Sequence, residues 1–181
     1  MKTENKWNGS TFKAVIFDLD GTLLYTLPDI ARAINGVLSS HGYPTHAMER
    51  YRSIVGWGLF ETMRHAMPEE HRSDEEVAPL AKALTGEYQR NPVVHTVPYP
   101  GIATVLDSLS DMGIACAILS NKEHSVAVEV VAKTLDKWSF AVVQGNSPEL
   151  PSKPDPAGAH MIAEKLRLRP EEVLYVGDSG V

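Results

Sequence analysis

Four short stretches carry side chains able to do chemistry. Asp18-Leu19-Asp20-Gly21-Thr22 sets two carboxylates two residues apart, with a glycine immediately after. On an extended strand such residues project to one face, where their charges repel unless a divalent cation or unlike protonation states accommodate them. A hard cation such as Mg²⁺ prefers oxygens of this kind. Ser120-Asn121-Lys122 offers a hydroxyl and loop amides at a strand-to-helix corner, which takes phosphate oxygens readily. In Lys153-Pro154-Asp155-Pro156 the prolines stiffen the backbone beside a lysine that can neutralise a phosphate. Gly177-Asp178-Ser179 adds a third acid suited to completing an oxygen-ligand metal site. Taken singly, these are acidic turns, a common Ser-Asn turn and a surface lysine beside a helix cap. Their value lies in their shared placement.

That placement follows from the elements around them. Residues 14–19 (AVIFDL), 114–119 (IACAIL), 140–143 (FAVV) and 173–176 (VLYV) are short apolar, β-branched runs that read as strands buried on both faces. Between them, Ile102, Val105, Leu106, Leu109 and Met112 recur at helical spacing before Gly113. Val126, Val130 and Val131 form a second stripe. Ala159, Ile162, Ala163 and Leu166 form a third, entered through Asp155 as N-cap and Pro156 in the first turn. Alternating strand and helix predict an α/β fold, a Rossmann-like parallel sheet covered by helices, with ligands at the carboxyl ends of the strands. All four stretches fall at or just beyond those ends.

Residues 28–95 interrupt the alternation with helical pattern and no convincing strand. Ile30, Ala33, Ile34, Val37, Leu38 and His41 share one face before Gly42, although Gly36 costs that helix about 1 kcal/mol. Phe60, Met63 and Met67 suggest a second helix and are expected in its core. Prolines at 92, 98 and 100 make 91–101 a non-helical return segment. The expected organisation is a polar tail at 1–10, an α/β core at 11–27 and 96–181, and a helical insertion at 28–95.

The 181 residues, 43% apolar and 22% charged, suit one globular domain with an inserted lobe. A net charge of -6 repels a phosphate backbone and argues against nucleic acid as a partner. A single cysteine, Cys116, forms no internal disulfide and reads as a small core residue, so a reducing cytoplasm is expected. The polar N-terminus lacks a signal-peptide core and no apolar run approaches 18 residues, so neither export nor a membrane partner is expected. Asn8-Gly9-Ser10 matches a glycosylation tripeptide that matters only on secretion. The seven histidines, His41, His46, His65, His71, His95, His124 and His160, form no metal-ligand spacing.

Phe17-Asp18-Leu19-Asp20-Gly21-Thr22-Leu23, Leu119-Ser120-Asn121, Lys153-Pro154 and Gly177-Asp178-Ser179 resemble, in order, the four motifs of the haloacid dehalogenase superfamily of phosphohydrolases. Val55-Gly56-Trp57-Gly58 and Tyr99-Pro100-Gly101 resemble its phosphoglycolate phosphatase-like group, which carries a small helical cap where residues 28–95 lie. The resemblance implies a Mg²⁺-dependent phosphatase of small phosphorylated metabolites, phosphoglycolate leading. Asp18 would be the nucleophile and form an aspartyl-phosphate, Asp20 the general acid and base. Ser120 and the Asn121 amide would hold phosphoryl oxygens, and Lys153 would balance charge. Metal ligands would be the Asp18 carboxylate, the Asp20 carbonyl and Asp178. Arg52 and the Gly56 to Gly58 loop are candidates for substrate contact from the cap.

Asp20 argues against dehalogenation, since the dehalogenase branch lacks that acid. A sugar-phosphate phosphatase or phosphomutase is the nearest alternative, followed by a non-catalytic phosphate- or Mg²⁺-binding protein. A receiver-type signalling domain is disfavoured, because Asp18 follows the first strand and a long insertion intervenes. Two departures stand out. The family's fourth motif continues to an acid at position 182, beyond Val181, with a further helix and strand, so the C-terminal part of the core is expected to be missing. Tyr25-Thr26 replaces a common Asp-Ser at the entry to the cap. Oligomeric state is not legible.

Overall fold

The computed structural model describes residues 12–179. In chain order the elements are β1 (Ala14–Phe17), β2 (Leu24–Tyr25), α1 (Leu27–Ser40), α2 (Met48–Tyr51), α3 (Leu59–Ala66), α4 (Asp74–Arg90), β3 (Val97–Pro98), α5 (Ile102–Asp111), β4 (Ala115–Glu123), α6 (His124–Thr134), β5 (Val142–Asn146), α7 (Ala157–Lys165) and β6 (Val173–Val176). They sort into two compact units. One takes the chain up to Leu24 and again from Pro98, and the other is Tyr25–Val97. The chain passes between them in the two-residue strands β2 and β3. The N-terminal tail and the Asn8-Gly9-Ser10 tripeptide lie outside the described residues.

The first unit is an α/β layer around a four-stranded sheet of order β5-β4-β1-β6, with every neighbouring pair parallel. Ala14 to Phe17 pair with Ala115 to Ile118 on one side and with Val173 to Val176 on the other. Four consecutive apolar residues suit such an interior strand, and all four are buried. The sequence reading of all four strands as buried on both faces needs correction. Among the described residues β5 and β6 are edge strands with a neighbour on one side only, and Leu174 and Tyr175 on β6 are exposed. Ile16, Ala117, Leu119 and Ile162 form a core cluster that Val142, Ala159, Leu166 and Val173 complete, which fixes α7 against the sheet. Leu106 and Leu109 bury α5, whereas Val105 and Met112, part of the same expected stripe, are exposed because the seam is only that wide.

β4 runs beyond the expected end at 119. Its ladder with β5 is regular from Ala117 to Leu119, slips, and resumes where Glu123 meets Asn146, so residues 120–122 form a bulge. Gly145 makes that bulge possible: a β-carbon there would lie 2.6 Å from the Lys122 carbonyl oxygen and 2.6 Å from Cα of His124. The Glu123 carboxylate then caps α6, accepting from the N–H groups of Ser125 and Val126 at 3.1 Å each. At α7 the expectation of Asp155 as N-cap is off by one. Pro156 holds that position, while Asp155 accepts from the Ala157 N–H at 2.8 Å.

The second unit is helical. α1 buries Ile30, Ala33, Ile34, Val37 and Leu38, but His41 lies past its end and is exposed, so the expected face stops one residue short. Gly42 then takes a φ of +77°, the left-handed turn that glycine permits. α4 starts at Ser73, whose hydroxyl accepts from the Glu76 N–H, and buries Val77, Leu80, Ala81, Leu84 and Tyr88. Met63 and Met67 are core residues, whereas Phe60 is exposed with the Arg64 guanidinium 5.0 Å over its ring. The buried stripe of α3 is centred on Thr62, Met63 and Ala66, which leaves Phe60 at its edge. Among the described residues no helix is long and apolar enough to cross a membrane.

The return segment of this unit is held by a buried carboxylate. Asp29, fully buried on α1, accepts at one oxygen from the N–H groups of Val94, His95 and Thr96 at 3.0, 2.9 and 2.8 Å, and from the Thr96 hydroxyl at 2.7 Å. Buried backbone donors need an acceptor, and this segment finds it in a side chain. Burial alone would raise the Asp29 pKa, but these hydrogen bonds outweigh it and hold the carboxyl below its usual range. A lowered pKa contributes stability that is full above the unfolded value near ~4 and is lost as pH falls through the folded value. Asp29→Ala should therefore cost about 3–5 kcal/mol in urea denaturation at pH 7, because it orphans buried donors. The stability gap between wild type and Asp29→Asn should narrow as the pH drops below ~4, and a gap independent of pH would contradict the assignment.

Candidate active site

Asp18 directly follows β1, and its N–H still donates to the Val176 carbonyl at 2.8 Å, so the β1–β6 ladder places it. Its side chain is buried at the carboxyl end of the sheet. One carboxylate oxygen accepts from the Leu19 N–H at 2.7 Å, and the other lies 2.8 Å from Nζ of Lys153, itself buried. Burial pushes the Asp18 pKa up, against the pull of the Lys153 ammonium and the Leu19 N–H. The Lys153 ammonium also sits 5.9 Å from the ring centroid of Tyr175 on β6. Tyr175 is a neighbour of the site that the sequence does not mark, because it sits inside a strand run read as core. Its pKa is raised by burial, with Lys153 acting the other way.

Lys153 is positioned through its backbone. The Asn121 side chain accepts from the Lys153 N–H at 2.8 Å and donates to the Lys153 carbonyl at 3.1 Å, both contacts buried. The bulge of β4 thereby grips the loop that carries the lysine. The Lys153–Pro154 peptide in that loop is cis. The Asn121 side chain is thus a clamp, a role distinct from the phosphate contact expected of its amide. Ser120, Asn121 and Lys153 line one small cavity with Asn146 and Ser152. The Ser120 oxygen accepts from the Lys122 N–H at 3.1 Å, so its own proton is available to donate.

Asp20 lies on the turn after β1, where Leu23 and Leu24 N–H groups return to the Leu19 carbonyl. Its Oδ1 is 3.1 Å from Nζ of Lys122, an ion pair without the alignment of a directed hydrogen bond. Lys122 is buried, and the sequence reading named it only as part of a turn. The available signal was a lysine three residues past Leu119, the last apolar residue of an interior strand. Gly21 has a φ of +81°, and a β-carbon on it would lie 2.4 Å from a carboxylate oxygen of Asp178. Asp178 therefore rests against the peptide that carries the Asp20 carbonyl, and also accepts from the Thr22 hydroxyl at 3.3 Å. Asp18, the Asp20 carbonyl and Asp178 are all oxygen donors on adjoining backbone, a set that fits a hard divalent cation. Among the described residues no three His, Cys, Asp or Glu side chains converge, and this set uses two carboxylates and a carbonyl.

The remaining cap candidates belong to the helical unit. Arg52 is exposed after α2, and Gly56 and Gly58 take positive φ values on either side of the exposed Trp57, all within the helical unit. Cys116 is buried in β4, where burial raises its thiol pKa and keeps it an unreactive thiol.

A family model described as haloacid dehalogenase-like hydrolase matches residues 12–181. Phosphoglycolate phosphatase 1 of Pseudomonas aeruginosa is 33% identical over 172 residues, covering 92% of this chain and 62% of that protein. Phosphoglycolate phosphatase of Rhodobacter capsulatus is 35% identical over 175 residues, covering 93% and 76%. The chain thus spans under two thirds of the first relative and about three quarters of the second. The crystal structure of a predicted phosphoglycolate phosphatase from Haemophilus somnus superposes with a TM-score of 0.81 at 26% identity, covering 92% of this chain and 77% of that one. CbbY from Rhodobacter sphaeroides, solved with phosphate, shares the fold at a TM-score of 0.76 and 21% identity, covering 94% and 79%.

If the Asn121 side chain holds the Lys153 loop, Asn121→Ala removes two buried hydrogen bonds and orphans a buried N–H. Chemical denaturation should register a loss of about 2 kcal/mol or more, and an unchanged midpoint would show that the loop is held by other means.

Proposed function

The chain belongs to the haloacid dehalogenase-like hydrolases, and on that premise we propose that it is a Mg²⁺-dependent phosphatase acting on a small phosphorylated metabolite, with phosphoglycolate the foremost substrate. The observation that carries this reading is the buried Asp18–Lys153 pair at the carboxyl end of β1, with Ser120 lining the same cavity as Lys153. The names of the relatives support the substrate class.

In this reading the ionised Asp18 carboxylate attacks phosphorus, and the bond from phosphorus to the substrate's ester oxygen breaks. Asp20 gives its proton to that departing oxygen, which leaves as an alcohol. Water then attacks the aspartyl-phosphate, Asp20 takes a proton from it, and inorganic phosphate and the Asp18 carboxylate are regenerated. The Lys153 ammonium, 2.8 Å from Asp18, opposes the effect of burial by favouring the ionised nucleophile and would balance charge as the phosphoryl group arrives. The Ser120 hydroxyl and the Asn121 amide would hold phosphoryl oxygens. Asp18, the Asp20 carbonyl and Asp178 would hold Mg²⁺, which when bound offsets the negative charge of the transferring phosphate. The helical unit Tyr25–Val97 would serve as the cap that recognises the organic part of the substrate, with Arg52 and the Gly56 to Gly58 loop as contacts. A cytoplasmic location suits the single buried cysteine.

The chain should release inorganic phosphate from a panel led by phosphoglycolate, and release should stop when Mg²⁺ is chelated. Asp18→Asn should fold and lose at least about 10³-fold in turnover. Silence across the panel from the folded chain would overturn the reading, and activity surviving in Asp18→Asn would remove the nucleophile.

A further inference from the structure

Lys122 is a lysine with 3% of its side chain exposed, and lysines are seldom buried so deeply unless paired. Its Nζ lies 3.1 Å from Oδ1 of Asp20, whose side chain is 16% exposed. The backbone around it is fixed on both sides. Its N–H donates to the Ser120 hydroxyl, and its carbonyl lies in the close approach that only Gly145 allows. The ammonium therefore leaves the β4 bulge from a rigid base, in the same compact unit as the Asp18–Lys153 pair.

We infer that Lys122 is a positioning residue for the reaction, acting through Asp20. It holds Oδ1 of the Asp20 carboxylate and so aims Oδ2 at the ester oxygen that must be protonated as the phosphorus–oxygen bond breaks. This rests on the proposed phosphatase reading. An acid so held matters most when the leaving group is a poor one. An alkoxide needs the proton during bond cleavage, whereas a p-nitrophenolate is stable enough to depart without it.

The test compares kcat/KM for phosphoglycolate, an alkyl ester, with kcat/KM for p-nitrophenyl phosphate, an aryl ester, because that ratio reports steps up to leaving-group departure. Lys122→Met should lose about 10²-fold or more on the alkyl ester and under about 10-fold on the aryl ester. Lys122→Gln, measured beside it, should show the same selectivity, with circular dichroism confirming that each variant folds. In an Asp20→Asn background, Lys122→Met should add no further loss on the alkyl ester. Equal losses on both esters, additive losses with Asp20→Asn, or a failure of both Lys122 variants to fold would each make Lys122 structural and overturn the inference. A wild-type chain inert on both esters would instead overturn the phosphatase reading, and this inference with it.

Discussion

The arrangement depends on one buried ion pair, Asp18 with Lys153. A carboxylate at the end of an interior parallel strand is removed from water by the fold itself, so it stays charged only beside a fixed cation. Lys153 cannot serve from a mobile loop, because a wandering ammonium would return the carboxylate to its desolvation cost. The two hydrogen bonds from the Asn121 side chain to the Lys153 backbone meet that requirement. They tie the loop to β4, the strand beside β1, so a single sheet fixes both partners.

The same logic explains why β4 breaks its ladder where it does. A regular strand through 120–122 would give its N–H and carbonyl groups to β5 and turn alternate side chains to opposite faces. The bulge releases these residues from that rule. Ser120, Asn121 and Lys122 then take three different roles within three consecutive positions: a hydroxyl facing the cavity, a clamp on Lys153 and a cation for Asp20. Gly145 on β5 is the counterpart of this irregularity, since a side chain there would collide with the backbone of Lys122 and His124.

Much of this was legible in the chain. β6 spans the run at 173–176, β1 starts where its apolar run does, and Asp18, Lys153 and Asp178 follow strands as expected, whereas Ser120 lies within β4, which continues to Glu123. Local pattern located the strands but not most of their ends: β1 stops at Phe17 rather than 19, β4 continues to Glu123 rather than stopping at 119, and β5 is Val142–Asn146 rather than 140–143. It could not report which strands are interior, so the exposure of Leu174 and Tyr175 at the edge was missed, as was the phase that leaves Phe60 at the rim of its helix. Lys122 escaped for a related reason: a lysine after a strand looks like solvated surface until a bulge in the neighbouring ladder is known to bury it. The hold of Asp29 on residues 94–96 likewise depends on a contact across 65 or more positions that no local period encodes.

Charge balance ties the cluster together. Asp18 and Asp20 follow β1 and Asp178 follows β6, and Lys153 and Lys122 pair with the first two at 2.8 and 3.1 Å. Among the described residues Asp178 is the acid of the three without a lysine, and it is also the most exposed of them, resting on Gly21 and the Thr22 hydroxyl. A phosphate ester would add further negative charge to this end of the sheet. In the proposed reading Asp178 is then where a divalent cation would contribute most, because the pairs at Asp18 and Asp20 already hold their carboxylates in place. In the proposed reading the two lysines and the cation would divide the work accordingly: Lys153 would favour a charged nucleophile, Lys122 would fix the direction of an acid, and a bound divalent cation would offset the charge that the substrate brings.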